Sequence, residues 1–183
     1  MKEEHLLLLS DLLKLINQVV LFDYIIIILG GVTMIYLSLA GIIFVAELFI
    51  KNYIEKNKKM NEEEEILGGK ITLTRYHNKG AMLNFMEKNT KLVIFISGIL
   101  LGSLLLLFGM VIPKKGNKVL KLALALLVGG AASNVYDRVN RGYVVDYFSF
   151  KWLKNVVFNI ADLFIIVGSI LTAICMLFRN EKV

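Results

Sequence analysis

Cysteine and histidine are scarce in this sequence, and their scarcity excludes several kinds of site. Cys175 is the single cysteine, so an internal disulfide is impossible, and its position in an apolar run is typical of a structural thiol. The two histidines form no H-E-x-x-H zinc motif, and no serine stands in a G-x-S-x-G hydrolase motif. We therefore predict no metal site and no cofactor.

Charge is also absent over long stretches of a chain that is 57% hydrophobic. Four segments approach or exceed the roughly 20 apolar residues that a helix needs to cross hydrocarbon. Two are uncharged, one contains Lys121 near its start, and one contains Asp162. The sequence predicts a mainly α membrane protein, a bundle of four transmembrane helices at about 24–46, 92–112, 119–136 and 156–178.

The remaining segments complete the predicted domain organisation. Residues 6–22 place their polar side chains on one helical stripe, which predicts an amphipathic interfacial helix within 1–23, with a fifth, partial span as the alternative. The stretch RGYVVDYFSF, with Gly142 as its turn residue, predicts a short strand. We expect extracytoplasmic loops at 51–91 and 137–155, the second with this strand, and a cytoplasmic tail at 179–183.

The net charge of +6 does not indicate nucleic acid as a partner. The basic residues form no module with aromatic side chains, and most lie in loops beside the apolar segments. Membrane lipids are the simpler partner. The connection PKKGNKVLK carries four lysines, which predicts a cytoplasmic loop and cytoplasmic termini.

The unusual polar residues fall at one face of the membrane. If the four helices are antiparallel, one face of the membrane holds the ends of the first and third helices. The same face holds the starts of the second and fourth helices. The motifs VAELFIK, SNVYDR and FNIAD all lie at these ends. Spacings of three and four residues also place Asn134, Asp137 and Arg138 on one helix face, and Asn159 with Asp162 on another.

Each polar residue taken singly has a structural explanation. A lone aspartate or asparagine can join helices by hydrogen bonds, and Gly129-Gly130-Ala131-Ala132 favours close helix packing over a phosphate site. The run Glu62–Glu65 is typical of a solvated loop rather than a metal site. The gathering of Asp137, Asp146 and Asp162 at one membrane face, however, indicates a functional site.

Two neighbouring aspartates can share one proton, so that one activates water while the other donates. This chemistry suits hydrolysis of an amide bond in a peptide at the membrane surface. A small proton-coupled carrier with Asp162 as its relay is a weaker alternative, because the carboxylates do not extend through the bilayer and the sequence has no inverted repeat.

Three motifs in order, HNKGA, GGAASNVYDRVNRGYVVDY and FNIAD, resemble those of the lipoprotein signal peptidase family, the type II signal peptidases of bacteria. The resemblance covers about residues 24–178. It implies a membrane aspartyl endopeptidase that removes signal peptides from prolipoproteins just before a diacylglyceryl-modified cysteine. It also implies a bacterial inner (cytoplasmic) membrane location, with the active site at the extracytoplasmic face.

The resemblance assigns roles by motif position. Asp146 and Asp162 correspond to the catalytic pair. Positions that support the site or bind substrate are Asn78, Gly80, Asn134, Asp137, Arg138, Asn159 and Ala161, together with Glu47 and Lys51 at the end of the first span.

The chain also departs from the family pattern. The family's first span usually ends D-x-x-[ST]-K, whereas Glu47 replaces the aspartate here and no hydroxyl precedes Lys51. Residues 81–84 differ from the usual sequence, and Ser133 replaces a common glycine. These differences leave open a paralogue that binds lipidated membrane proteins without cleaving them, or that acts on altered substrates.

Overall fold

The computed structural model describes residues 30, 31, 33–80, 86–153 and 156–178. The chain divides into two compact units, residues 1–35 and 36–183. Within the first unit, residues 30, 31 and 33–35 are described, and they are helical. The predicted interfacial helix within 1–23 and the predicted tail at 179–183 lie outside the described residues.

Among the described residues, four helices are each long and apolar enough to cross a membrane. Helix α2 is preceded by a short 3-10 turn, Glu87–Asn89. The prediction of a four-helix membrane protein is confirmed. The helices are α1 (Thr33–Asn57), α2 (Thr90–Val111), α3 (Lys118–Arg141) and α4 (Ile160–Leu177).

Helix α1 continues well beyond residue 46, where its apolar run ends. Glu47 and Lys51 are 1% and 0% exposed, because both face protein rather than lipid or water. A charge that is paired inside the bundle does not mark the end of a membrane helix. The apolar run therefore gave the position of the helix but not its end.

Helix α3 is the central helix of the bundle. It has the lowest mean hydropathy of the four and the largest buried share. A helix that is surrounded by protein can carry small and polar residues that lipid would not tolerate. The main hydrophobic core forms around it, from Ala40, Phe108, Val111, Ile112, Leu120, Leu124, Ala125, Leu127 and Val128.

Glycines let the neighbouring helices approach α3 closely. A Cβ atom at Gly129 would lie 2.8 Å from the carbonyl oxygen of Ala40 in α1. A Cβ atom at Gly130 would lie 2.6 Å from the carbonyl oxygen of Ala161 in α4. The helix-packing interpretation of this glycine pair is confirmed, and it brings the start of α4 against α3.

A three-stranded antiparallel sheet lies where α1 and α3 end and α4 begins. Its order is β1 (Glu64–Ile66), β2 (Ile71–Asn78) and β3 (Val144–Phe150). Strand β3 is the predicted strand, whereas β1 and β2 lie in the segment that was expected to be a loop. In the β2–β3 register, Tyr76 pairs with Asp146 and Asn78 with Val144.

A second hydrophobic cluster fastens the sheet to the helices. Ile54 of α1 packs with Val145, Tyr147 and Phe148 of β3. Residues 144–148 of β3 are all buried, so this strand has protein on both faces. Its polar side chains must therefore find partners inside the structure.

The Gly130→Ala substitution should destabilise the bundle, because the added methyl group collides with the backbone of α4. Overpacking of this kind costs about 1–3 kcal/mol. The matched control is Gly98→Ala on α2, where an added Cβ meets nothing within 4 Å. Thermal unfolding in detergent should show a lower midpoint for Gly130→Ala alone, and equal midpoints would contradict the close approach of α3 and α4.

Candidate active site

The first turn of α4 fixes the position of Asp162. Asn159 is the N-cap residue in an extended conformation, and its Oδ1 accepts a hydrogen bond from the backbone N–H of Asp162 at 3.0 Å. The Oδ2 of Asp162 accepts in return from the backbone N–H of Asn159 at 3.1 Å. This reciprocal pair is a capping box, which explains the three-residue spacing of the FNIAD motif.

Strand β3 carries Asp146 into the same region. The residue is 2% exposed, and each of its carboxylate oxygens accepts one side-chain hydrogen bond. Asn159 Nδ2 donates to Oδ1 at 2.7 Å, and Asn78 Nδ2 donates to Oδ2 at 3.0 Å. Asn78 is itself held by its Oδ1, which accepts from the Gly80 N–H at 3.1 Å.

Burial is the main cause of an altered acidity at Asp146. Desolvation and then the negative charge of Asp162 raise the pKa of Asp146 from 3.8 to about 7, although the donors Asn78 and Asn159 and the positive charge of Lys51 oppose the rise. The carboxyl group can therefore hold or release a proton near neutral pH.

Asn134 of α3 connects the two aspartates through hydrogen bonds of its side-chain amide. Its Nδ2 donates to Asp162 Oδ1 at 2.8 Å, while its Oδ1 accepts from Asn159 Nδ2 at 3.2 Å. Since Asn159 also donates to Asp146, one chain of amide groups joins both carboxylates. The two acids are held in a fixed relation by α3, β3 and the N-cap of α4.

Both aspartates line a cavity of about 230 Å³. We call its polar lining residues the polar wall and its apolar lining residues, most of which lie just before α4 or in its first turns, the apolar wall. The polar lining residues are Asn78, Asn134, Arg138, Asp146 and Asp162, and the apolar ones are Val144, Val156, Val157, Phe158, Ile165 and Ile166.

A fully buried lysine supports the polar wall. Lys51 Nζ donates to Ser133 Oγ at 2.9 Å and to Asn134 Oδ1 at 2.8 Å. The same ammonium group lies 3.4 Å from Asp137 Oδ2 and 3.7 Å from Glu47 Oε2. Lys51 thus forms ion pairs with two carboxylates within the bundle.

Asp137 and Arg138 are adjacent in sequence but have different surroundings. Asp137 is 0% exposed, accepts from the Val145 N–H at 3.1 Å and pairs with Arg141 at 3.0 Å, so it ties β3 to α3. Arg138 lines the cavity and donates through Nη2 to the Gly80 carbonyl at 3.1 Å. Its Nε is buried and has no hydrogen-bond partner among the described residues.

The residues predicted from sequence therefore separate into two groups. Five of these residues line the cavity, and the others contact or position the residues that line it. Ala161 is fully buried where α3 meets α4, and Gly80 orders the Arg138 side chain. The supporting group comprises Glu47, Lys51, Gly80, Asp137, Asn159 and Ala161.

Sequence reasoning missed the part played by two hydroxyl groups. Ser133 accepts a hydrogen bond from Lys51, and Tyr147 donates one to Glu47 at 2.7 Å. Tyr147 stands beside Asp146 in β3, where its aromatic ring looked like an ordinary strand residue. No sequence signal links Tyr147 to Glu47, because the two residues lie 100 positions apart in the chain.

Known proteins are similar to this chain in sequence and in fold. Residues 39–178 match the family model for signal peptidase (SPase) II. The chain belongs to the signal peptidase II family. It is accordingly a peptidase, and its four apolar helices make it a membrane protein.

Individual relatives agree with this membership. The chain is 33% identical over 147 residues to a lipoprotein signal peptidase of Lactobacillus johnsonii, covering 80% of this chain and 94% of the relative. It is 34% identical over 151 residues to a lipoprotein signal peptidase of Histophilus somni, covering 80% of this chain and 91% of that protein.

Two solved bacterial membrane enzymes have the same fold. The first superposes with a TM-score of 0.70 at 25% identity and covers 80% of this chain and 91% of that one. The second has a TM-score of 0.66 at 24% identity, with coverage of 80% and 94%. The four-helix fold of this signal peptidase II family member, with its small sheet, therefore has solved counterparts.

Replacement of Lys51 by methionine should strongly destabilise the protein. The substitution leaves Glu47 and Asp137 buried without their shared cation, and breaking a buried ion pair in this way costs about 3–5 kcal/mol. The control is Lys58→Met, which removes an ion pair to Glu64, whose side chain is 61% exposed. Chemical or thermal unfolding in detergent measures both variants, and equal losses of stability would contradict the role of Lys51.

Proposed function

We propose that this chain is an aspartyl endopeptidase that removes the signal peptide from diacylglyceryl-modified prolipoproteins. The observation that carries the proposal is the meeting of Asp146 and Asp162 in one cavity, joined by Asn134 and Asn159. The names of the relatives supply the substrate class. The acid pair supplies the chemistry.

In the proposed mechanism the two aspartates hold one proton between them. Asp146, with its raised pKa, carries the proton near neutral pH. Asp162 lies at the N-terminal end of α4, where the helix dipole favours a negative charge, and it takes a proton from water as the water attacks the scissile carbonyl. Asp146 then protonates the leaving nitrogen, so the amide bond breaks and the products are a carboxylic acid and an amine.

Arg138 is proposed to bind the substrate main chain. The side chain lines the cavity, so a peptide carbonyl oxygen bound there can accept a hydrogen bond from its guanidinium group. A guanidinium group at this position also stabilises the negative charge that develops on the attacked carbonyl oxygen.

The apolar wall of the cavity suits a signal peptide. Val156, Val157 and Phe158 lead into α4, and Ile165 and Ile166 continue the wall along the helix. An extended apolar segment can lie against this wall while its scissile bond faces the aspartates. The diacylglyceryl group of the adjacent cysteine would remain in the surrounding lipid.

The proposed location is a bacterial inner membrane with the site at the extracytoplasmic face. The lysine-rich connection between α2 and α3 lies at the opposite end of these helices from the sheet and the aspartates. Because positively charged loops are usually cytoplasmic, this lysine-rich connection supports an extracytoplasmic position for the cavity.

Asp162→Asn and Asp146→Asn should each reduce cleavage by at least about 100-fold, since each removes one half of the proton transfer. The measurement is mass spectrometry of a diacylglyceryl-cysteine substrate peptide after incubation with purified protein. Glu63→Gln, in the exposed loop before β1, is the control and should cleave normally. The amount of each variant in the membrane fraction verifies insertion.

Two outcomes would contradict the proposal. Cleavage by Asp162→Asn at the wild-type rate would exclude the aspartate mechanism. Binding of the lipidated peptide by the wild-type protein without a shortened product would favour the non-cleaving paralogue.

Cleavage should also slow as the pH rises through about 7. Above this pH the proton on Asp146 is lost, both aspartates are ionised, and no group remains to protonate the leaving nitrogen. Initial rates at limiting substrate, from about pH 5 to about pH 9, measure this limb in the free enzyme. A rate that stays constant from neutral to alkaline pH would be inconsistent with Asp146 as the acid.

A further inference from the structure

The Tyr147 hydroxyl makes two hydrogen bonds that join three elements. It donates to Glu47 Oε1 of α1 at 2.7 Å and accepts from the backbone N–H of Ile160, the first residue of α4, at 3.1 Å. The residue is 4% exposed, and its ring packs in the cluster that fastens β3 to α1. Its hydroxyl is therefore fixed from both sides.

The hydrogen bond between Tyr147 and Ile160 joins two residues that lie next to the proposed catalytic aspartates in the chain. Tyr147 directly follows Asp146 in β3, and Ile160 stands between Asn159 and Asp162 in the first turn of α4. The first N–H groups of a helix have no acceptor within it. The capping box serves the N–H of Asp162, and the Tyr147 hydroxyl serves that of Ile160.

Glu47 of α1 accepts the hydrogen bond that fixes the Tyr147 hydroxyl on the side of α1. One oxygen accepts from Tyr147, while the other lies 3.7 Å from Lys51 Nζ and has no hydrogen-bond partner among the described residues. The family pattern has an aspartate here, and glutamate is longer by one methylene group. That length lets the carboxylate contact both Lys51 and the hydroxyl of β3.

The tyrosine hydroxyl is suited to act as a permanent donor toward Glu47. Burial and then the nearby negative charge of Glu47 raise the pKa of Tyr147, so the phenol stays protonated at any physiological pH. Because it donates to Glu47, the oxygen presents its lone pairs to Ile160. The direction of both hydrogen bonds is thus set by the carboxylate.

We propose that Tyr147 is a positioning residue that holds the first turn of α4, and with it Asp162, in register with Asp146. The hydroxyl contacts neither aspartate, and it acts through the Ile160 backbone. This inference rests on the aspartyl mechanism proposed above, and it gives a role to a residue to which the family resemblance assigned none.

The test is Tyr147→Phe, which keeps the ring in its cluster and removes the hydroxyl. With the start of α4 less well held, kcat should fall by about tenfold to a hundredfold while KM changes less than about twofold. The alkaline limb of the pH profile should move to lower pH, because a displaced Asp162 contributes less to the raised pKa of Asp146. Cleavage of the lipidated peptide provides all three measurements.

The matched control is Tyr136→Phe on α3. That tyrosine is 42% exposed, its ring packs edge-on against Phe44, and it does not line the cavity. Its kcat, KM and pH profile should equal those of the wild type. A thermal midpoint that is lower in Tyr147→Phe, with kcat and the pH limb unchanged, would show a purely structural hydroxyl and overturn the proposal.

A second variant keeps the test decisive if Tyr147→Phe does not fold. Tyr147→Phe combined with Glu47→Gln removes the buried charge that would lack its donor, and the same kcat and pH readings apply. An inactive Asp162→Asn together with wild-type kinetics in the tyrosine variants would refute this inference alone. An active Asp162→Asn would instead refute the underlying mechanism.

Discussion

The buried ammonium group of Lys51 is the constraint on which the candidate site depends. A lysine can only donate hydrogen bonds, so the oxygen of the Asn134 side chain must face it, and the NH₂ group must then face Asp162. Asn159 is oriented in the same way, because its oxygen is taken by the N–H of Asp162 and its NH₂ turns to Asp146. The cation therefore sets the direction of hydrogen bonding at Asn134, and the backbone at the start of α4 sets it at Asn159.

A buried polar network is costly unless its members are paired, and the positions of the helix ends and of the sheet provide most of the partners. Helix ends supply backbone donors, and the sheet brings β3 against the same ends of α1 and α3. Glycines at 129 and 130 then bring α1 and α4 close enough to α3 for short side chains to bridge them. The polar site is thus built where secondary structure leaves backbone groups free, while the apolar core occupies the rest of the bundle.

The sequence predicted the parts of this structure that follow from hydrophobic runs and chain parity. Four spans, the strand after Gly142 and the gathering of polar motifs at one end need only length, alternation and order. It could not predict the end of α1, because Glu47 and Lys51 resemble helix-terminating charges until their partners are known. Strand β2 was missed because its residues pair with β3, about seventy residues further along the chain. Tyr147 was missed because a tyrosine in a strand usually signals packing.

The two aspartates lie in different elements, and this difference supports the acid and base roles proposed for them. Asp146 lies on a strand that is buried on both faces, and burial favours its protonated form near neutral pH. Asp162 lies in the first turn of a helix, where a backbone N–H and an amide NH₂ both point at its oxygens. Since the surroundings differ while the side chains are identical, the roles proposed for them follow from the strand and the helix N-terminus rather than from residue type. Two identical side chains in different surroundings thus give the proposed proton transfer a direction.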